Sequence, residues 1–484
     1  MRRFARSFVL TSVVTLAVGA GAPTVPCTTA AGEAHAASSG QGAPIADAQA
    51  EDVVATTFAY VVQLYPLWFS YWQSRIVPIN RLAGPDEISP IYHIVVAIND
   101  DTLYASSLVD LHDEPVVVTI PPTTASYSIL TLDAYGDVFE TGMVAGAPGT
   151  YALTGPGWTG TLPAGLTPIA MPVDYSILIF RADKYSASGV DETEQANAFR
   201  ESLRILPLSD YESDPTGGAT TIFPQVYFAA PFKQTADNLV AYDPIRFLKM
   251  LQTAVASSNT PPMSTDEQAL SDRFDALFGD GDLAPDEVGK IAQLAEGTRT
   301  AHAAIIDRYL SHTGPTSWIS FTNIGRWGDA VIERSAIAEY IQYGNGYETA
   351  AYYHTFEDRQ GTALDGGSHA YVLTFPAGML PEASRFWSIT AYTPDAIELV
   401  WNVAKKYVVA SYTPGLTFNA DGSLSVHLSA EPPHGVPLAN WLPVPRGPFN
   451  VMLRVYGPEG SVANATYVPP AVERARRRLI PIRR

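Results

Sequence analysis

The stretch Ile94-Val-Val-Ala-Ile-Asn-Asp-Asp-Thr-Leu-Tyr104 decides the fold class, because it joins two apolar runs through a polar turn. Residues 94–98 have the composition of a short buried strand, and Asn99-Asp100-Asp101 after them are residues typical of turns. Apolar residues resume over 103–111. The stretch therefore predicts two neighbouring β-strands with a polar connection.

Short strands of this kind are predicted in both halves of the chain, with Gly, Pro and Asp between them, which is typical of sandwiches and barrels. In the N-terminal half they cover residues 116–120, 127–132, 138–141, 150–153 and 176–180. In the C-terminal half they cover residues 369–375, 386–392, 406–411, 423–428 and 449–456.

Helical periodicity separates the two β-rich halves and also precedes the first. Apolar residues recur at three-and-four spacing over 47–72, where Pro66 predicts a kink or a break. Further helices are predicted over 192–206, 244–256, 266–278 and 285–310.

The predicted fold class is therefore mainly β with a helical insert (α+β), with two β-sandwich or jelly-roll-like domains joined by a helical section. The expected boundaries are residues 1–36 for a signal peptide, 37–190 for the N-terminal β domain, 191–340 for the helical section, 341–470 for the C-terminal β-sandwich and 471–484 for a basic tail.

The N-terminus has the three parts of an export signal. Arg2, Arg3 and Arg6 precede an apolar run over 8–22, and Ala34-His35-Ala36 has the small-residue pattern of a cleavage site. We expect cleavage after Ala36 and a secreted, periplasmic or cell-envelope location, without a membrane span in the mature form. An uncleaved anchor is the alternative, and both the general and the twin-arginine export routes remain open.

Composition excludes several classes of function. The only cysteine, Cys27, lies in the predicted signal peptide, so the mature chain would have no disulfide, thiolate nucleophile or cysteine-bound metal. A net charge of −19 argues against nucleic acid as a partner. A small-molecule substrate or ligand is the expected partner, oligomerisation is left open, and neither a metal nor a cofactor is assigned.

Asp101 is the first candidate catalytic residue. It follows a predicted buried strand, so its carboxylate could reach a pocket mouth, although the simpler interpretation is an ordinary turn. The similar segment Leu132-Asp133-Ala-Tyr135-Gly-Asp137 could supply a second carboxylate, and two carboxylates in different environments can divide into acid and base.

His354 is the second candidate, as a general base or ligand, because it lies among aromatic and charged residues. Asn99 and Asn440 are expected to position a substrate, and Tyr104 and Trp387 to form pocket walls. For the segment around Asn440 and for Trp387, a structural role is the alternative.

Several motifs in order resemble a family of bacterial two-domain proteins built from domains of unknown function 1254 and 1214. The N-terminal motifs are Tyr65-Pro66-Leu67, Asn99-Asp-Asp-Thr-Leu-Tyr104, Leu132-Asp-Ala-Tyr135 and Gly155-Pro-Gly-Trp158. The C-terminal motifs are Leu364-Asp-Gly366, Phe386-Trp-Ser-Ile-Thr390, Asp421-Gly-Ser-Leu424 and Asn440-Trp-Leu-Pro443. The resemblance implies two sandwich-like domains with helices between them and an exported or envelope location, but no reaction.

One position departs from the family pattern. Asp100 stands where the Asn-Arg-Asp-Thr pattern of the family has arginine, which removes the basis for an anion-binding role there.

Two classes of function follow from these observations. The first is a hydrolase- or lyase-type enzyme that acts on a small organic, lipid or peptide-like substrate at the domain interface, where pockets commonly form. The second is a non-catalytic extracytoplasmic module for ligand binding or envelope assembly. A pocket that holds Asp101 and His354 near one reacting atom would favour the enzyme.

Overall fold

The computed structural model describes residues 45–224, 231–284 and 286–475. The predicted signal peptide over 1–36 and residues 476–484 of the predicted basic tail lie outside the described residues.

The N-terminal strands form two sheets. The strands are β1 (Ala83–Pro85), β2 (Thr102–Asp110), β3 (Val116–Ile120), β4 (Tyr127–Leu132), β5 (Gly149–Thr154), β6 (Thr167–Ala170), β7 (Tyr175–Asp183), β8 (Arg204–Pro207) and β9 (Thr221–Phe223). One sheet has the order β4-β7-β2-β1-β9 and the other the order β6-β5-β3-β8.

The C-terminal strands also form two sheets. The strands are β10 (Ala350–Thr355), β11 (Tyr371–Phe375), β12 (Ala383–Tyr392), β13 (Val408–Ala410), β14 (Leu424–Ser429), β15 (Trp441–Pro443), β16 (Asn450–Pro458) and β17 (Val472–Arg474). Their orders are β10-β16-β12-β13 and β15-β14-β11-β17. Strand β17 lies in the segment predicted as a tail and pairs with β11.

Helices lie before, between and after these strands. They are α1 (Ile45–Ser74), α2 (Thr193–Ser202), α3 (Leu208–Ser213), α4 (Phe232–Tyr242), α5 (Pro244–Val255), α6 (Thr265–Phe278), α7 (Val288–Ser311), α8 (Val331–Tyr340) and α9 (Gly460–Ala463). A 3-10 turn covers Leu438–Asn440. The mainly β, α+β fold with two sandwich-like parts is confirmed.

Alternation along the strands divides the interior into three cores. Leu103 and Ala105 of β2 pack toward the second N-terminal sheet, whereas Tyr104 and Leu108 of the same strand face a central core shared with the helices. Strand β10 is divided in the same way, because Tyr353 faces the C-terminal sandwich interior and its neighbours face the central core. The outward faces of two sheets therefore meet the helices in the middle of the molecule.

Helix α1 continues through Pro66, so the predicted kink or break does not interrupt the helix. A proline leaves the carbonyl four residues earlier without its usual amide donor. Here the Ser335 hydroxyl of α8 donates to the Val62 carbonyl at 2.7 Å. A neighbouring helix thus replaces the lost hydrogen bond.

Residues 94–98 do not form the predicted strand. Ala97 has a φ of 53°, outside the range of a strand, and side chains take the hydrogen-bonding groups of the segment. The Val96 amide donates to Gln342 at 3.1 Å, and the Ile98 carbonyl accepts from the Tyr392 hydroxyl at 2.7 Å. The predicted strand over 138–141 is likewise reduced to a single bridge at Val138.

The predicted helix over 192–206 ends at Ser202, and its last residues form β8 instead. Leu203 has extended backbone, and the strand it leads into pairs with β3 along Val116–Thr119. Pairing with a distant strand therefore overrides local helical periodicity at this point.

One described stretch, Val53–Ser74 of α1, is long and apolar enough to cross a membrane. Most of this stretch is buried inside the protein, as in the core helix of a globular fold.

Candidate functional site

A cavity of about 600 Å³ lies where the N-terminal and C-terminal sheets approach each other. Strands β2 and β7 contribute one wall, β10 and β16 another, and residues 92–99 run along it. This volume falls within the range of pockets that hold drug-sized molecules, roughly 300–1,000 Å³.

The walls of the cavity are mainly apolar. Strand alternation places every second residue of β7 on this side, and the same pattern holds on β2. The aliphatic side chains that line the cavity include Ile76, Val77, Leu108, Ile177, Ile179 and Ile341. Such a surface favours a ligand with a substantial apolar part.

Arg454 of β16 is the most unusual polar residue of the cavity wall, because it is almost completely buried. One terminal nitrogen donates to the Ala97 carbonyl, whereas Nη1 has no hydrogen-bond partner among the described residues. Its guanidinium also lies 5.4 Å from the centre of the Tyr392 ring. The unusual backbone of Ala97 thus presents a carbonyl to a buried cation.

Arg181 of β7 is the second buried arginine in this wall. It donates to the Asn345 side chain and, at 3.1 Å, to the Tyr343 carbonyl, and it lies 5.6 Å from the centre of the Tyr104 ring. Within the described part of the chain, neither Arg181 nor Arg454 has a carboxylate within 4 Å. We call these two residues the arginine wall.

Asn99 and Tyr104 are the two predicted site residues that line the cavity. The Asn99 amide donates to the Tyr456 hydroxyl at 2.5 Å, and its carbonyl oxygen accepts from the Asp101 amide at 3.1 Å. Asn99 therefore caps its own turn, as the simpler interpretation expects, and also contributes to the cavity surface.

Asp101 lies behind this surface and is completely buried. Its carboxylate accepts from the Tyr412 hydroxyl at 2.5 Å and from the Ser388 hydroxyl at 2.8 Å. Burial raises the pKa of Asp101, while the two hydroxyl donors and Arg454 oppose the rise. The carboxylate links the two halves of the molecule and does not face the cavity.

His354 is also buried, and both of its ring nitrogens are engaged. Nδ1 lies 2.8 Å from the Tyr309 hydroxyl and Nε2 lies 2.7 Å from the Asn450 side-chain oxygen. Burial lowers the pKa of His354 to about 3, so the ring is neutral at physiological pH. The structure therefore leaves no free nitrogen for a base or a ligand, and it does not bring His354 to the cavity.

Trp387 and Asn440 lie away from the main cavity. Trp387 lines a separate cavity of about 300 Å³ together with Tyr412 and Phe418. The Asn440 side chain accepts from the Thr417 amide at 2.9 Å and donates to the Thr417 carbonyl at 2.8 Å. Asn440 thus stabilises a turn, which is the structural alternative for this segment.

Asp133, the second candidate carboxylate, holds a turn. It accepts from the backbone amides of Tyr135 at 2.9 Å and Asp137 at 3.0 Å. Burial raises the pKa of Asp133 to about 7. It does not line the cavity or contact Asp101, so the two carboxylates do not form an acid–base pair.

A second polar cluster lies among the helices. Asp237 of α4, His302 of α7 and Glu339 of α8 each offer one ligand atom, and these atoms lie within 4.8 Å of one another. Lys233 contacts both carboxylates, with its ammonium 2.9 Å from Asp237, and the Tyr65 hydroxyl donates to Glu339 at 2.5 Å. We call these five residues the helical ion cluster.

The electrostatics of the helical ion cluster favour an internally neutralised group over a metal centre. Burial alone lowers the pKa of His302, but Asp237 and Glu339 outweigh it and raise that pKa to about 9. A protonated imidazole has no lone pair for a metal, and Lys233 already supplies a cation between the carboxylates. Two positive and two negative side chains therefore balance.

Sequence reasoning missed both arginines of the wall. Each interrupts an otherwise apolar strand, in Ile177-Leu-Ile-Phe-Arg181 and in Val451-Met-Leu-Arg454. A charged residue within such a run was the available signal, because a buried charge requires a partner or a function.

Residues 79–207 match the family model described as a protein of unknown function, DUF1254, and residues 349–460 match the one described as DUF1214. A search of curated proteins gave no match. The cavity described above lies between these two matched regions and is lined by residues of both.

Solved structures resemble this fold at low sequence identity. The VPA0106 protein from Vibrio parahaemolyticus is 19% identical, with a TM-score of 0.56, over 88% of this chain and 100% of that chain. An uncharacterised protein from Burkholderia cenocepacia is 16% identical, with a TM-score of 0.41, over 88% of this chain and 95% of that chain. The first of these similarities supports the fold alone.

Proposed function

We propose that this chain, which joins a DUF1254 domain to a DUF1214 domain, binds a small and largely apolar molecule in the cavity between them. The observation that supports the proposal most directly is a cavity of about 600 Å³ whose walls are mainly aliphatic and aromatic. Both domains contribute to it, so ligand binding would also tie the two domains together.

Binding is favoured over catalysis by the residues that reach the cavity. Its described lining contains no Asp, Glu, His, Lys or Cys, and so no ordinary general base of those types. Asp101 and His354, the candidates for a reaction, are engaged in hydrogen bonds behind it. The site resembles a receptor with a few fixed polar groups.

A neutral fluorescent dye tests the proposal. We expect N-phenyl-1-naphthylamine to bind the protein in a saturable way with increased emission, because the cavity removes it from water. Ile179→Trp fills the cavity from β7 and should weaken dye binding by about tenfold or more. Ser106→Phe fills it from β2, and provides a second variant if the first one folds poorly.

Val403→Trp is the matched control, because Val403 is 89% exposed and lies outside the cavity. It should leave dye binding unchanged. Equal binding by the wild type and both filled variants, each shown to be folded by circular dichroism, would mean that the dye binds elsewhere and the proposal is wrong.

An exported location completes the proposal, and it is based on the sequence. The arginines before residue 8, the apolar run over 8–22 and Ala34-His35-Ala36 support cleavage after Ala36. N-terminal sequencing of the protein from the extracytoplasmic fraction should begin at Ala37. An intact N-terminus in the membrane fraction would favour the uncleaved anchor.

A further inference from the structure

The arginine wall is costly to the folded protein as it stands. Arg454 is 2% exposed and Arg181 is 6% exposed, so both guanidinium groups have lost most of their hydration. A buried cation is normally compensated by a carboxylate in contact with it. The described residues provide none within 4 Å of either arginine.

Asp101 offers only partial compensation. It interacts electrostatically with Arg454, but its two oxygens accept from Tyr412 and Ser388 instead. Two guanidinium groups and one carboxylate leave a single positive charge beside the cavity. A monoanion would neutralise this charge, whereas a dianion would exceed it.

The two arginines act on the same part of the cavity. Tyr352 lies opposite Arg454 in the β10–β16 pair and lines the cavity with it. Burial raises the pKa of Tyr352, and the charges of Arg181 and Arg454 both oppose that rise. Both cations therefore lie near one phenol, at the polar end of an otherwise apolar space.

We propose that the ligand is an amphipathic monocarboxylate, with its carboxylate at the arginine wall and its apolar body along Leu108, Ile177 and Ile179. This inference rests on the proposed binding function and specifies the ligand class. The planar guanidinium fork suits a carboxylate, and the unpartnered Nη1 of Arg454 is the donor that its head group would engage as the guanidinium turns toward it. Asn99 and Tyr456 supply further polar groups beside the head.

Dodecanoic acid and dodecan-1-ol form a matched pair of probes, because they share one apolar chain and differ in charge. Each is titrated against the protein with bound N-phenyl-1-naphthylamine, and dye release is measured. We expect the acid to displace the dye at about tenfold lower concentration or less, because only the acid pairs with the buried cations. In Arg454→Met this preference should disappear, while the alcohol binds as before.

Arg81→Met is the control variant, because Arg81 also lines the cavity but its side chain is 47% exposed and paired with Asp210. It should retain the preference for the acid. Asn99→Asp provides a test that does not depend on the folding of Arg454→Met. It preserves the acceptor for the Asp101 amide and places a carboxylate near the head group, so acid binding alone should weaken.

The outcomes separate this inference from the proposed function. Dye binding with equal displacement by acid and alcohol, or with displacement by neither, would overturn the monocarboxylate and preserve the apolar binding site. An acid preference that persists in both Arg454→Met and Asn99→Asp would also overturn it. Absence of dye binding to the folded wild type would instead contradict the binding function itself.

Discussion

In the helical ion cluster each positive side chain lies near a carboxylate, whereas the two cations of the arginine wall contact none among the described residues. Both groups are buried, and both lie in or beside the central core. The difference indicates two purposes. The first group is complete within the chain and stabilises the contact of four helices, while the second requires something from outside the chain to become neutral.

The largest expected effect comes from breaking the helical ion cluster. Lys233→Met keeps much of the side-chain volume but leaves Asp237 and Glu339 without their shared cation, so we expect a loss of about 3–5 kcal/mol in the free energy of unfolding. Urea denaturation measures it.

Lys249→Met is the matched control for this loss. Lys249 pairs with Asp282 on the surface, with side chains that are 49% and 75% exposed, so its removal should cost less than about 1 kcal/mol. If both variants lose the same amount, the buried cluster contributes no more than a surface pair.

Sequence patterns located most of the fold for a physical reason. Strands such as β3 and β16 are buried in sheets, and their apolar and β-branched runs are visible without knowledge of their partners. The failures occurred where distant groups decide the local structure. Residues 94–98 read as a strand, but Gln342 and Tyr392 hold them in a loop, and these residues are more than 240 positions away.

The same limit explains the site predictions. Asn99 and Tyr104 flank a recognisable turn, and the structure places both at the cavity. Asp101 belongs to the same turn, but one residue of difference directs it to Ser388. His354 was chosen for its polar neighbours in sequence, whereas its neighbours in space, Tyr309 among them, occupy its nitrogens. Enclosure and free valence depend on packing, which local sequence does not reveal.

The next effect is a pH dependence of stability from the helical ion cluster. The folded-state pKa of His302 is about 9 against roughly 6.5 when unfolded, because Asp237 and Glu339 favour the imidazolium. A raised folded-state pKa stabilises fully below pH 6.5 and is lost as pH rises through about 9. The expected loss is on the order of 3 kcal/mol across that window.

Urea denaturation of wild type and His302→Gln across this window provides the comparison. The variant lacks the titrating ring, so its stability should be lower at pH 6 and nearly flat toward pH 9. Lys233 and Tyr65, the other titratable members of the cluster, are present in both proteins. Parallel pH profiles for the two proteins would show that His302 is not held in its protonated form.

A smaller effect separates the two buried tyrosines of α1. Tyr65→Phe removes a hydroxyl that donates to the Glu339 carboxylate at 2.5 Å, so we expect a loss of about 1.5–3 kcal/mol. Tyr60→Phe is the control, because the Tyr60 hydroxyl is buried without a partner among the described residues. Its removal should cost nothing or stabilise slightly. Thermal unfolding of both variants gives the difference, and equal losses would contradict the assigned role of Glu339.

The smallest expected effect on stability is at the arginine wall, and its size is what distinguishes the two groups. Arg454→Met removes a desolvated cation that has no carboxylate in contact, so stability should change by less than about 1 kcal/mol or increase. The Ala97 carbonyl keeps the Tyr392 hydroxyl at 3.3 Å as a donor, which limits the loss of hydrogen bonding. Urea denaturation without added ligand measures this change. A loss as large as that of Lys233→Met would identify Arg454 as a structural residue, and the need for an external anion would disappear. A small change, together with loss of the acid preference, would mean that the chain retains this cation at the expense of stability for the ligand it binds.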